Sequence, residues 1–234
     1  MSTADTPEPF DWSQIRLAVF DVDGTLYDQR RLRLLMVRDL LFHLFTCGNT
    51  RFIRILRTYR RLREQLAEEE TAKFEQVLLE KTAAACGCSP AEVQQTVFNW
   101  MEQRPLPYLA RCRFPGVDAV FTGLRRSGIA IGIYSDYPAQ AKLDAMELYA
   151  DYVVCAPDKE VGVLKPHPRG LEVLLSKAGM APENAVLIGD RTERDGEAAR
   201  RAGVLPLIRS PKILAGWQSF ASYADALFDR VRQG

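Results

Sequence analysis

A chain of 234 residues that is 47% apolar and 26% charged can bury a sizeable core, as one large domain or two modest ones. Its formal net charge of +1 supplies no overall drive toward nucleic acid, and none is expected as a partner; an electrostatic partner has to be sought in local patterning. No segment reaches the roughly eighteen uninterrupted apolar residues of a membrane helix, the N-terminal MSTADTPEPFDWSQ lacks a basic-then-apolar signal pattern, and five cysteines without a regular framework, Cys47, Cys86, Cys88, Cys112 and Cys155, point to a reducing, cytoplasmic setting.

The first apolar run, Leu17–Phe20, reads as a strand. It gives out at DVDGT, which sets Asp21, Asp23 and Thr25 at alternate positions. An extended chain sends residues i and i+2 to one side, so the two carboxylates can converge unless the Asp-Gly step turns the chain first. Four helical patterns follow without a strand between them, at 30–45, 50–70, 71–85 and 90–103, the last opened by Ser89 as N-cap and Pro90 at the first helical position. From about Arg113 the pattern alternates: helix 117–127, strand 129–134, helix 138–148, strand 152–155, helix 168–178, strand 185–188, helix 194–202 and strand 204–208. The tail, 210–234, suggests a terminal helix and nothing more. Alternation over short connections predicts parallel strands with crossover helices. The expected fold is therefore α/β, a Rossmann-like parallel sheet formed by 1–28 and 108–234, interrupted by an all-helical insertion at 29–107 with linkers at 27–30 and 104–109.

Open α/β sheets bind ligands at the carboxyl ends of their strands. Asp21 stands at one such end, Ser135 at the end of IAIGIY, and GDRTERD, with Asp190 and Asp195, follows AVLI; Lys165 lies in LKPHP just before a crossover helix. Taken singly, Ser135 could be a turn residue, Lys165 a surface cation and Asp195 a helix-start acid. Together they bring one hydroxyl, one lysine and four acids to a single edge of the sheet.

With DVDGT first, Ser135 second, Lys165 third and the acidic GDRTERD fourth, the chain resembles the haloacid dehalogenase superfamily, in particular the phosphoglycolate phosphatase-like and β-phosphoglucomutase-like members that carry a helical cap after the first motif. The resemblance implies a catalytic set of Asp21, Asp23, Ser135 and Lys165. Asp21 would attack phosphorus and form an aspartyl-phosphate that water hydrolyses. Asp23 would protonate the departing oxygen and then deprotonate that water, Ser135 would hydrogen-bond a phosphate oxygen, and Lys165 would offset negative charge. Mg²⁺ is the implied cofactor, with Asp21, Asp23 (through its backbone carbonyl), Asp190 and Asp195 as the metal set; Asp195 would orient a metal-bound water or Lys165. A second acid two residues after the nucleophile suits an alkoxide leaving group rather than a halide. The implied activity is hydrolysis of a small phosphorylated metabolite. A phosphomutase, or a non-catalytic binding module on the same fold, is the alternative. Arg191 departs from the family pattern and could pair with an acid or reach substrate.

Between Gln29 and Arg63 ten arginines face the single acid Asp39. On a helix Arg54, Arg57 and Arg61 share a face. They could form a solvated face balanced by Glu64, Glu68, Glu69 and Glu70, or meet a second anion on the substrate, with Arg30 and Arg31 favoured by nearness to Asp23 in sequence. They could also dock an anionic partner or lipid surface, which requires Leu34, Leu35, Leu41, Phe42 and Phe45 to be exposed. His43 reads as cap packing and His167 as a loop residue.

Overall fold

The computed structural model describes residues 10–47 and 50–233, so most of the N-terminal stretch read for a signal lies outside the described residues. Strand β1 (Leu17–Phe20) is the centre of a parallel sheet with β2 (Ala130–Ser135), β3 (Tyr152–Cys155), β4 (Ala185–Gly189), β5 (Leu205–Arg209) and β6 (Ser219–Phe220), in the order β3-β2-β1-β4-β5-β6. β1 pairs with β2 on one side, Phe20 opposite Ile133, and with β4 on the other, Phe20 opposite Ile188. Every residue of LAVF is inaccessible. A strand covered on both faces can be apolar throughout, which is why the pattern shows a run rather than alternation.

The two faces feed two cores. Ala18, Phe20, Ile133 and Ile188 pack with Val117, Val120 and Leu124 of α6 (Val117–Arg126), whereas Leu17, Val19, Tyr134 and Leu187 pack with Leu171, Leu174 and Leu175 of α8 (Arg169–Ala178). The insertion is helical throughout: α1 (Gln29–Cys47), α2 (Arg51–Glu68), α3 (Phe74–Cys86), α4 (Pro90–Val97), a π-helical continuation at Phe98–Gln103, and α5 (Leu106–Cys112). Its core of Ile55, Tyr59, Leu66, Phe74, Leu78, Val93 and Val97 reaches Ala156 and Leu164 of the sheet domain. His43 packs edge-on to the Phe52 and Trp100 rings, and Ser89 caps α4 by accepting the Glu92 N–H at 3.2 Å. No helix among the described residues is long and apolar enough to cross a membrane.

Four local expectations change. Segment 104–109, expected as a linker, begins α5, because Pro105 and Pro107 occupy the start of a helix, where a missing N–H costs nothing. Helix α3 starts at Phe74 rather than 71, since Glu70 and Lys73 take positive φ and break the chain there. The two short helices after β2 and β4 shrink to α7 (Gln140–Ala145) and to a π turn at Thr192–Gly196 followed by α9 (Glu197–Arg201). The tail adds the edge strand β6 before its terminal helix α10 (Asp229–Gln233). Cys86, Cys88, Cys112 and Cys155 are free thiols, and the side chain of Cys47 lies outside the described residues.

Helix α10 closes on α6 at Gly123, where an added Cβ would fall on the carbonyl oxygen of Val231. Gly123→Ala is expected to destabilise the fold by about 1–3 kcal/mol through overpacking. Thermal denaturation checks it: a melting temperature equal to wild type would show that α10 does not hold this seat.

Candidate active site

Lys165 is the pivot of the sheet edge. It is 1% exposed, and its Nζ donates to Asp21 Oδ1 at 2.7 Å, to Asp195 Oδ1 at 2.7 Å and to the Tyr134 carbonyl at 3.2 Å. Burial disfavours a buried ammonium, but the carboxylates of Asp195 and Asp21 outweigh it and hold Lys165 well above the ordinary lysine range. Asp21 sits directly after β1, where its N–H continues the ladder to the Ile188 carbonyl at 2.9 Å, and Thr25 donates to its Oδ2 at 3.0 Å. Burial, with Asp195, Asp190 and Asp23 close by, pushes the Asp21 carboxyl well up against the opposing pull of Lys165.

The turn after Asp21 depends on Gly24, whose φ of +99° suits glycine and whose missing side chain leaves room for the Asp190 carboxylate. Gly189 leaves the same kind of room for Asp195. Asp195 is held in place by accepting the N–H groups of Asp190 and Arg191 at 3.2 and 3.1 Å. One oxygen each of Asp21, Asp190 and Asp195 lies within 4.8 Å of the others. The Asp190 carboxylate hydrogen-bonds none of the described residues, and burial and Asp195 push its carboxyl up to about 7. Three crowded hard-oxygen donors fit a divalent oxygen-binding cation.

Asp23 turns elsewhere. Lys142, on α7 and itself 5% exposed, donates to both Asp23 oxygens at 2.6 and 2.7 Å, and the Tyr27 hydroxyl donates to Oδ1. Burial raises the Asp23 carboxyl, but Lys142 and Tyr27 override it and hold it below the usual range. The Asp23 carboxylate is thus outside the metal-fitting trio, and any part it has there falls to its backbone carbonyl. Ser135 is wholly buried and does not line the cleft; its Oγ accepts the Tyr137 N–H at 3.2 Å. His167 accepts the Arg169 N–H at its Nδ1, 3.2 Å.

The carboxylates open into a cleft of about 320 Å³ roofed by the helical insertion, with Leu32, Arg33, Met36, Arg60, Arg63 and Trp100 on the roof side. Arg30, Arg31, Arg54, Arg57 and Arg61 do not line it. Glu64, expected to balance its own helix, crosses to the sheet domain instead: both its oxygens take Arg191 at 3.1 and 3.2 Å, and Arg194 donates to Oε2 at 2.6 Å. Arg191 therefore pairs with an acid, and Glu70 likewise pairs with Arg201. Arg63, 6% exposed, lies over the Tyr137 ring at 3.9 Å and donates to the Asp136 carbonyl. Lys142, Tyr27 and Arg63 escape a sequence reading because a single Lys, Tyr or Arg on a helix or turn is indistinguishable from a solvated one until a distant partner is in place.

A family model described as haloacid dehalogenase-like hydrolase matches residues 15–203. The chain is 26% identical over 200 residues to glyceraldehyde 3-phosphate phosphatase of Methanopyrus kandleri, covering 82% of each protein. It is also 26% identical over 200 residues to phosphoglycolate phosphatase of Salmonella typhimurium, covering 81% of this chain and 79% of that one. In fold it is similar to a 2-haloacid dehalogenase from Pseudomonas syringae, with a TM-score of 0.62 and 20% identity over 90% of this chain and 95% of that one.

A carboxyl whose folded pKa is raised stabilises the fold fully below its unfolded value, and loses that contribution as pH rises through the folded value. For Asp190 the window runs from its ordinary 3.8 to about 7. In chelator, Asp190→Asn is therefore expected to melt higher than wild type at about pH 8, with the difference shrinking as the pH falls through that window. A pH series of thermal denaturation checks it, and an unchanged gap across the series counts against a raised Asp190.

Proposed function

The chain belongs to the haloacid dehalogenase-like hydrolases, and on that footing we propose that it is a magnesium-dependent phosphatase hydrolysing a small phosphate monoester. The observation that carries the reading is one buried ammonium, Lys165, bridging Asp21 and Asp195 with the unpartnered Asp190 carboxylate beside them. The names of the curated relatives, both phosphatases of small phosphorylated compounds, support the substrate class. We take 1–28 and 108–234 as the catalytic core and 29–107 as the cap, and place the protein in the cytoplasm, a setting that suits its free thiols.

In this mechanism an Asp21 oxygen attacks phosphorus, the bond to the ester oxygen breaks, and an aspartyl-phosphate forms. Asp23 gives a proton to the departing oxygen. It then takes one from the water that attacks the same phosphorus, which frees inorganic phosphate and restores the Asp21 carboxylate. Lys142 and Tyr27 keep Asp23 at the cleft in the ionised state the second step needs. For the first step Asp23 must carry a proton, and an incoming phosphate dianion favours its uptake. Lys165 offsets charge on Asp21 and the phosphoryl group, and Asp195 orients Lys165; Ser135, wholly buried off the cleft, is left out of the set. Mg²⁺, held by Asp21, Asp190 and the Asp23 carbonyl, would supply positive charge opposite the transferring phosphoryl oxygens. Arg33 and Arg60 on the cap side would meet a polar or anionic group at the far end of the substrate, beside Met36 and Trp100.

Turnover is expected to cease in chelator and return with Mg²⁺, and Asp21→Asn to form no phosphoenzyme. Rapid-quench labelling with a ³²P-substrate checks both, and hydrolysis undiminished in chelator would sink the reading. Arg60→Ala is expected to lower kcat/KM on the preferred substrate roughly ten- to hundredfold, the worth of a charged hydrogen bond in a water-poor site. Turnover of p-nitrophenyl phosphate should change little. Equal losses on both substrates would remove Arg60 from substrate selection.

A further inference from the structure

Helix α1 presents apolar residues on two sides. Its inner side carries Leu32, Leu35 and Met36 onto the first core, so Leu35, expected among the exposed residues of a docking face, is not part of one; Gln29, Leu32, Arg33 and Met36 line the cleft. Its outer side is largely exposed. Leu34, Val37, Leu41 and Phe45 form a single row there, and Leu34 and Phe45 are 74% and 94% exposed. Arg30, Arg31 and Arg38 are exposed on the same side. At about 100° per residue these positions fall within roughly 140° of the helix circumference, and the row from Leu34 to Phe45 runs about 16 Å along the axis.

The charge on this side has one sign. The only acid of α1 is Asp39, which is turned inward to accept the Tyr108 hydroxyl at 2.7 Å, with Arg38 Nε 3.9 Å from its other oxygen. Four apolar side chains in a convex row, flanked by arginines and with no acid of α1 among them, make a basic, apolar surface that complements an anionic interface. Arginine stems can lie along such a row while their guanidinium groups reach outward to anions.

We propose that the outer face of α1 docks on an anionic lipid bilayer. The helix lies in the interfacial plane, Leu34, Val37, Leu41 and Phe45 enter the headgroup boundary, and Arg30, Arg31 and Arg38 meet lipid phosphates. A second copy of this face is a poorer occupant, because it would bring three more cations and no acid of its own. A folded protein partner would have to supply a groove matched to a convex ridge, which a bilayer provides without one. The cleft is lined from the opposite side of the helix, so docking leaves those residues in place. The inference is independent of the phosphatase reading.

Co-sedimentation of the full chain with phosphatidylcholine vesicles, alone or with about 30 mol% phosphatidylglycerol, tests the proposal. Binding is expected only to the anionic vesicles, and weakening as salt rises. The double variant Leu41→Ser/Phe45→Ser should bind at least about tenfold more weakly, with unchanged melting temperature and p-nitrophenyl phosphate turnover. If each arginine contributes about fivefold near such a surface, Arg30→Gln/Arg31→Gln/Arg38→Gln should bind about a hundredfold more weakly. No binding to anionic vesicles, or binding that both variants retain, overturns the proposal. So does light scattering that shows a dimer dissolved by Leu41→Ser/Phe45→Ser, since a second copy would then cover the face.

Discussion

A single buried cation holds this edge of the sheet together. Three carboxylates on the ends and connections of β1 and β4 would repel one another out of any compact arrangement if they stood alone. Lys165 reaches two of them at 2.7 Å from a segment that precedes α8, tying three parts of the chain to one point. A pair so buried is weak evidence of stability, because desolvating the charges offsets their attraction. Its consequence is positional: it fixes where the Asp21 oxygens lie and leaves Asp190 with no ion pair of its own among the described residues. That deficit of positive charge is what a metal ion and a substrate-facing lysine would share.

The same bookkeeping of charge joins the insertion to the sheet domain. Glu64 stands at the end of α2 nearest the cleft, and Arg191 and Arg194 approach it from the connection after β4. Arg194 also donates to the Lys165 carbonyl at 2.7 Å, so the residue that seats the insertion touches the backbone of the pivot. Arg63 adds a second seat one residue earlier, on Asp136 and the Tyr137 ring just beyond β2. Both seats lie at the rim of the carboxylate cluster. Opening the cleft by moving the insertion would break contacts to groups that position the cluster, which couples roof and floor mechanically.

The arginine-rich stretch resolves into separate jobs once it is folded. Arg63 is buried, Arg33 and Arg60 line the cleft, Arg54 donates to the Cys86 carbonyl at 2.6 Å, and Arg30, Arg31 and Arg38 face out beside an apolar row. Helical geometry distributes neighbouring residues around an axis. A run that reads as one basic segment is therefore several unrelated surfaces, and nearness to Asp23 in sequence was no guide to nearness to the cleft.

What the sequence determined by itself follows from local rules. The apolar run of β1, the alternation of helices and strands after Arg113 and the strand-end positions of Asp21, Ser135 and Asp190 are all set by periodicity and by the way parallel sheets present their carboxyl ends. The helical insertion was legible for the same reason, although Pro105 and Pro107 disguised the start of α5 as a linker, proline being as acceptable in a helix's first turn as in a loop. Tertiary structure alone decided the partners. Lys142 finds Asp23 across 119 residues and Glu64 finds Arg191 across 127. Only folding reveals that Asp23's carboxylate faces Lys142 rather than the other acids, and that Ser135 is wholly buried with its Oγ accepting the Tyr137 N–H. A pairing between charges so distant in sequence leaves no periodic trace: it is written in how α2 meets the connection after β4 and how α7 meets the turn after β1, which no local window contains.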